Sequence, residues 1–189
     1  MKAYHEQIVN NAVAYIALRY YQKTNKYIVQ ILMYKILALF DFQCLREMGE
    51  PCTELEYKAH KRGPVPQQLY TRWEDSDLVK KRPAKINNHS AKVFICVGSP
   101  NMDYFSDYEK NLLDGIIDRA VNEHWNAARA SEVSHKEIHA WSKGRERPGY
   151  RMDYSDEFEG IQEKKAEQLT SAEQNFLLYL ECANAKTKI

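Results

Sequence analysis

The sequence predicts a mainly α-helical protein, a compact helical domain around a central buried helix with one small β-hairpin excursion. Glycine and proline number only seven and six among 189 residues, which argues against a turn-rich all-β fold. Several segments repeat apolar residues at helical spacing. The most apolar of them, Tyr27–Phe40, is apolar on nearly every side, as is typical of a helix in the middle of a domain.

Two long helices are expected near the start of the sequence. An apolar stripe predicts the first at about residues 3–22, and the central helix is expected at about 26–45. The central helix should end at Gly49, since glycine readily adopts the left-handed backbone conformation found at helix C-termini. Pro51 supports this boundary because proline cannot continue a helix.

Local start signals predict two short helices after that boundary. Thr53 and Glu56 have the spacing of a capping box, which predicts a helix that continues to about His60. Residues 62–66 are expected to form a rigid turn, and Pro66 suits the first position of a second short helix.

Residues 78–97 differ in composition and predict the β-hairpin. Two runs favour strands, Leu78–Ile86 and Lys92–Val97, and the asparagine-rich link between them is typical of a hairpin turn. Pro83 has no backbone N–H to donate, so we expect the first strand to lie at the edge of its sheet.

Helical signals return after the hairpin. Ser106 and Glu109 form a second capping box, which predicts the start of a long helix. A single helical turn is expected at 127–130, followed by a separate helix that begins at Ser131 or Ser134.

The sequence further predicts a division into a helical domain at 1–144 and a C-terminal extension at 145–189. The last helix should begin at Thr170 or Ser171, where capping residues precede an apolar run. Residues 176–180 are apolar over more than one face of that helix, so we expect it to pack on the body or on a partner.

Cysteine usage and hydropathy predict a cytoplasmic protein. The four cysteines lack C-x-x-C spacing and the polar start of the chain lacks the apolar region of a signal peptide, so thiols in a reducing compartment are expected. The apolar stretch Tyr27–Phe40 is shorter than the roughly 20 residues that a bilayer span needs, so no membrane association is expected.

Charge and motifs narrow the class of function. The net charge of +1 argues against a dedicated nucleic-acid binder, which usually has an excess of basic residues. The Walker A, G-x-G-x-x-G and G-x-S-x-G motifs do not occur in the sequence. We therefore predict a protein that is not an enzyme and that uses no cofactor.

The candidate partner-binding residues surround a proline-rich corner. Two prolines fix two φ angles and remove two backbone donors, so the corner is either a preorganised binding surface or a connection that orients two helices. The basic residues before it either contact an acidic partner or form a solvated face. The candidates are His60, Lys61, Arg62, Gly63, Pro64, Val65, Pro66 and Tyr70.

One histidine pair has metal-ligand spacing. On a helix, His135 and His139 share a face that can chelate zinc, with His124 or Glu137 as a third ligand. Lys136 follows His135, so the H-E-x-x-H motif is absent. We predict no metal, and a hydrogen bond within the helical body is the more ordinary role for His135.

These motifs occur in an order that resembles the Panacea (SocA-like antitoxin) domain. The apolar central helix leads into the turn Gly49–Pro51 and then into the element Gly63–Pro66. The segment Phe105–Glu109 is similar to a helix start of the family. Ser134–His135, with Trp141 downstream, is similar to its Ser/Thr-His…Trp segment.

The resemblance covers about residues 26–142 and implies an antitoxin that neutralises a cognate toxin by direct contact. Such a pair is typically encoded together, for example in a prophage or other mobile element. SocA-like members are also thought of as adaptors that hand the toxin to a cytoplasmic AAA+ protease. Two alternatives stay open: a DNA-binding regulator that uses Lys80–Arg82 and Lys85, and a cryptic metal-dependent hydrolase that uses the histidine pair.

Overall fold

The structure, a computed structural model, describes residues 4–86 and 88–186, with side chains as far as Ala183. This described part contains seven α-helices and two small antiparallel sheets, which confirms the predicted fold class. The helices are α1 (His5–Thr24), α2 (Gln30–Met48), α3 (Gln67–Thr71), α4 (Asp107–Asn122), α5 (Ala127–Glu137), α6 (His139–Glu146) and α7 (Ser171–Lys186). The strands are β1 (Ile28–Val29), β2 (Tyr57–His60), β3 (Gly63–Pro66), β4 (Val79–Ile86) and β5 (His89–Cys96).

Helix α2 lies at the centre of the molecule. Helices α1, α4, α5 and α7 and strand β3 all pack against it, and nearly every residue from Leu32 to Leu45 is buried. Two of the buried residues are charged, since Lys35 and Asp41 are only 1% and 0% exposed. The helix ends at Gly49, whose φ of 86° confirms the predicted C-terminus. Among the described residues, no helix is both long enough and apolar enough to cross a membrane.

The predicted β-hairpin is present as β4 and β5. Val79 pairs with Cys96 at its open end, and Ile86 pairs with His89 beside the turn. The three-stranded sheet has the order β1-β5-β4, so β4 lies at the edge, as Pro83 predicts. An edge strand tolerates proline because one of its sides has no neighbouring strand to receive a hydrogen bond.

Three predicted helix starts are also confirmed. Pro66 directly precedes α3. At α4, the Ser106 hydroxyl accepts from the Glu109 amide at 3.2 Å, and the Glu109 carboxylate accepts from the Ser106 amide at 2.8 Å. Thr170 and Glu173 make the same reciprocal pair at the start of α7, at 3.3 and 2.9 Å.

The helix predicted from Thr53 to His60 is wrong, because this segment enters the β2–β3 hairpin instead. The amide and the hydroxyl of Thr53 both donate to the buried Asp41 carboxylate, at 2.6 and 2.5 Å. Tyr57 donates to the same carboxylate at 2.9 Å, and Glu54 between them has a left-handed φ of 51°. In a capping box the Glu56 carboxylate would accept from the Thr53 amide, but the Asp41 carboxylate from α2 accepts that hydrogen bond instead.

The helix boundary predicted between residues 130 and 134 is also wrong. Asn126 accepts hydrogen bonds from two amides in the first turn of α5, which then runs without interruption to Glu137. The chain breaks instead at Ile138, whose backbone is extended, with φ −115° and ψ 100°. This residue is fully buried, so the break lets its side chain enter the core before α6 begins.

The segment that follows α6 returns to the central helix. The Glu157 carboxylate accepts from Arg46 of α2 at 2.9 Å and from the Ala140 amide of α6 at 2.8 Å. Phe176 of α7 is fully buried and stacks on Phe158, with 4.5 Å between the ring centroids. The C-terminal extension therefore covers one side of α2.

Replacement of Gly49 by alanine should lower the free energy of unfolding by about 2–5 kcal/mol, from left-handed strain and overpacking together. A Cβ at Gly49 would lie 2.3 Å from the Ala172 carbonyl oxygen and 2.7 Å from the Phe176 amide nitrogen of α7. Gly160 is a matched control, since its φ is also positive, at 77°, but a Cβ there meets nothing within 4 Å. Urea unfolding of both variants measures the difference, and equal losses would show that the approach of α7 does not require glycine.

Candidate partner-binding site

The candidate residues lie on the β2–β3 hairpin and on α3. Tyr57 pairs with Pro66 and His60 pairs with Gly63, so Lys61–Arg62 is the two-residue loop of an antiparallel hairpin. Such a short loop holds both side chains close to the ends of the strands. The corner predicted from the two prolines is therefore the second strand of this hairpin.

Exposure divides the eight candidates into two groups. Lys61, Arg62 and Tyr70 are exposed, His60 and Val65 are half-buried, and Gly63, Pro64 and Pro66 are buried. Three side chains are therefore fully accessible to a partner, and the other five lie partly or wholly inside the fold.

Close packing explains the glycine of the hairpin. Gly63 has a φ of 98°, in the left-handed region. A Cβ on it would lie 2.6 Å from the Ser134 hydroxyl of α5 and 2.8 Å from Cε of Lys35 on α2. The hairpin backbone thus reaches the core only because this position has no side chain.

A buried lysine beneath the hairpin holds it in place. Nζ of Lys35 donates to the Pro64 carbonyl at 2.8 Å, and no salt bridge joins it to another described residue. A carbonyl oxygen carries no formal charge, so the ammonium group is not neutralised. Burial lowers the pKa of Lys35 to about 7. Lysine is rarely buried without an acidic partner, so this arrangement marks a specialised position.

Helices α5 and α6 hold the loop end of the hairpin. The Trp141 indole donates to the His60 carbonyl at 3.0 Å, and the Ser131 hydroxyl donates to the Arg62 carbonyl at 2.9 Å. The Trp141 ring stacks on His135 with 3.6 Å between centroids. Burial, followed by the charge of Lys35, lowers the pKa of both histidines, which keeps them neutral near pH 7.

The outer face of the hairpin is basic and aromatic. Arg145 of α6 donates to the Ala59 carbonyl at 3.1 Å and lies 4.6 Å above the Tyr150 ring. Tyr70 is 52% exposed and makes an edge contact with the His60 ring. No salt bridge within the described residues neutralises the four basic side chains of this face, which are Lys58, Lys61, Arg62 and Arg145. We call these four, together with Tyr70, the hairpin face.

A groove of about 560 Å³ borders the hairpin face. It lies between β2, α3 and the C-terminal extension. Its lining includes Lys58, Gln67, Gln68, Pro148, Arg151 and Tyr179. Glu54, Glu56 and Asp153 also line it, so the groove is mixed in charge and the basic character of the hairpin face does not extend into it.

The comparison with known families decides which family the chain belongs to. The sequence model of the family described as "Antitoxin SocA-like, Panacea domain" matches residues 33–142, more than half of the chain. The chain belongs to this family. The matched region contains most of α2, the whole hairpin face except Arg145, and Trp141. No match was found among the curated proteins or among the solved structures.

The Panacea domain does not bring together the histidine pair that the sequence suggested as zinc ligands. His135 lies on α5 and stacks on Trp141, whereas His139 begins α6 and lies 3.3 Å from Glu159. The break at Ile138 means that the two do not share one helix face, so that prediction is wrong. No group of potential metal ligands among the described residues contains this pair.

Strand β4 of the Panacea domain, which carries the basic residues Lys80–Arg82 and Lys85, is only partly available to DNA. Lys81 points inward and donates to a carbonyl oxygen of α3 at 2.9 Å, and burial lowers its pKa to about 8. Arg82 forms a salt bridge with Asp75. Lys80 and Lys85 remain exposed, so two of the four predicted phosphate contacts are already committed within the protein.

Sequence reasoning missed the residues that support the hairpin. Lys35 interrupts an otherwise apolar helix, and a charge on such a helix must be buried and hydrogen-bonded. That signal indicates a buried lysine but not its partner, because the Pro64 carbonyl is a backbone atom. Ser131 and Arg145 gave no signal of contact with the hairpin, since serine and arginine are ordinary on helices.

Proposed function

We propose that this protein is the antitoxin of a toxin–antitoxin pair and that it neutralises a cognate toxin by direct binding through the hairpin face. Membership of the SocA-like antitoxin family supports an antitoxin-type role. The observation that favours this surface is the hairpin itself, which α2, α5 and α6 hold through its backbone carbonyls while its loop side chains stay exposed. The toxin is the expected partner, and no catalytic activity is proposed.

The chemistry of the hairpin face indicates the chemistry of its partner. Four basic side chains without acidic partners favour an acidic patch on the toxin. An exposed tyrosine beside them supplies contact area at a small entropic cost, and tyrosine is enriched among residues that dominate binding energy. A rigid hairpin also loses little conformational entropy on binding.

The test is co-expression with the product of the neighbouring reading frame, scored by growth and by co-purification. The double variant Lys61→Glu/Arg62→Glu should lose both rescue and complex, and Tyr70→Ala should raise the Kd at least about tenfold. All three positions are exposed, so the fold should be unaffected.

A matched control is the double variant Lys80→Glu/Lys85→Glu on strand β4. It makes the same change in net charge at two other exposed positions. It should keep the complex and the rescue of growth. Loss of rescue in this control alone would place the binding surface on β4 and would contradict the proposal.

Two finer roles are separable by experiment. Delivery of the toxin to a AAA+ protease would require toxin degradation that depends on both the antitoxin and the protease. Regulation of its own operon would require promoter binding that the Lys80→Glu/Lys85→Glu variant loses at physiological salt. We also propose a cytoplasmic location, in keeping with four cysteines that are all thiols.

A further inference from the structure

A cluster of potential metal ligands lies where three segments of the fold meet. Cys44 is near the C-terminal end of α2, Cys52 follows in the next loop, and Glu109 is in the first turn of α4. Their two sulfur atoms and a carboxylate oxygen lie within 4.8 Å of one another. Both cysteines are buried, at 3% and 1% exposure. The cluster lies within the matched region 33–142 but is separate from the hairpin face, and the proposed function does not use it.

The electrostatic surroundings of this cluster favour a cation. The Cys52 and Cys44 thiols are hydrogen-bonded to each other, and the carboxylates of Asp41 and Glu109 act electrostatically on Cys52. Two thiols thus share a buried position with carboxylates. A bound divalent cation would suit these surroundings, because it stabilises thiolates and carboxylates directly.

The geometry of the glutamate is already fixed by its neighbours. One carboxylate oxygen of Glu109, Oε2, accepts from the Ser106 amide and hydroxyl at 2.8 and 2.9 Å. Glu109 therefore resembles metal-binding carboxylates, which are commonly oriented by hydrogen bonds from their neighbours. This arrangement limits the reorganisation that metal binding would need.

We propose that Cys44, Cys52 and Glu109 bind one zinc ion. Cysteine thiolates and carboxylates both ligate zinc, and a water molecule beside three protein ligands would complete four-fold coordination. Binding releases one proton from each thiol, so the two thiolate charges and the carboxylate offset the charge of the ion. The ion would join α2, the following loop and α4, and so stabilise the end of the central helix.

The test uses the untagged full-length protein, stripped with a chelator and titrated with Co²⁺ as a spectroscopic substitute for zinc. One equivalent should produce the near-ultraviolet charge-transfer band of a cobalt thiolate and the visible bands of tetrahedral cobalt. Elemental analysis of the protein before stripping should find one zinc per chain. Zn²⁺ should displace the cobalt and raise the Tm.

Matched variants distinguish this site from adventitious binding. Cys44→Ser and Cys52→Ser should lose the charge-transfer band, whereas Cys96→Ser and Cys182→Ser, outside the cluster, should keep it. Glu109→Gln can still accept the capping hydrogen bonds, so it should fold normally and lower metal affinity by at least about 100-fold.

Three results would overturn the proposal. The first is a wild-type protein without the cobalt thiolate band at excess metal, and the second is a band that both cluster serine variants retain. The third is a protein that is isolated without metal, before any chelator is added, and in which Cys44 and Cys52 form a disulfide.

Discussion

Replacement of Asp41 by alanine is expected to lower the free energy of unfolding by about 3–5 kcal/mol. The Asp41 carboxylate is fully buried and accepts from the Thr53 amide, the Thr53 hydroxyl and the Tyr57 hydroxyl. Without it, three buried donors lose their acceptor, and each such loss costs about 1–3 kcal/mol. Urea unfolding followed by circular dichroism measures the change.

Two milder variants test whether the hydrogen bonds cause this loss. Asp41→Asn keeps the shape and one carbonyl acceptor, so it should lose less stability than the alanine variant. Tyr57→Phe removes a single donor and should cost about 1 kcal/mol. In the Asp41→Ala background the same tyrosine substitution should cost close to nothing, because the shared hydrogen bond is already gone. Additive losses would contradict this account.

Replacement of Lys35 by methionine is expected to change how stability depends on pH. Burial lowers the pKa of Lys35 to about 7 in the folded protein, whereas an unfolded lysine titrates near about 10.4. Between these values the unfolded chain holds a proton that the folded chain lacks, so the free energy of unfolding rises with pH. The slope is at most about 1.4 kcal/mol per pH unit, and below the folded pKa it disappears because both states are protonated.

The measurement is urea unfolding of the wild type and of Lys35→Met at about pH 7, 8 and 9. Methionine has a similar volume and no charge, so the variant should be the more stable protein near pH 7, by a margin that shrinks as the pH rises. Other groups titrate in this range, among them Lys81 with a pKa of about 8, but they are present in both proteins. A margin that does not change with pH would contradict the burial of a charged Lys35.

Sequence patterns predicted those elements whose signals are local. The cap at Ser106, the end of the central helix at Gly49 and the edge strand marked by Pro83 depend on residues a few positions apart. The prediction at Thr53 was wrong because Asp41, from the preceding helix, accepts the hydrogen bond of the Thr53 amide that Glu56 would accept in a capping box. An inference from neighbouring residues alone cannot identify a competing acceptor on another helix.

The candidate site shows the same difference between local signals, which the sequence reveals, and contacts between distant segments, which it does not. The loop residues Lys61 and Arg62 were identified because basic residues beside prolines are a local pattern, and the structure leaves both exposed. The support from Lys35 and Trp141 was missed, since both contact backbone carbonyls of a segment distant from them in sequence. Every residue has a backbone carbonyl, so the sequence does not show which carbonyl accepts a hydrogen bond from a distant side chain.

The packing of α7 against Gly49 has a consequence for synthesis on the ribosome. Gly49 and Ala172 are in contact distance but far apart in the chain, and at about 5–20 residues per second roughly 6–25 seconds separate their translation. During that interval one side of α2 is uncovered, and Phe158 lacks the ring of Phe176 on which it stacks. A nascent chain at this stage exposes apolar surface that chaperones and proteases recognise, so the supply of finished protein depends on how quickly the last helix is completed and docks.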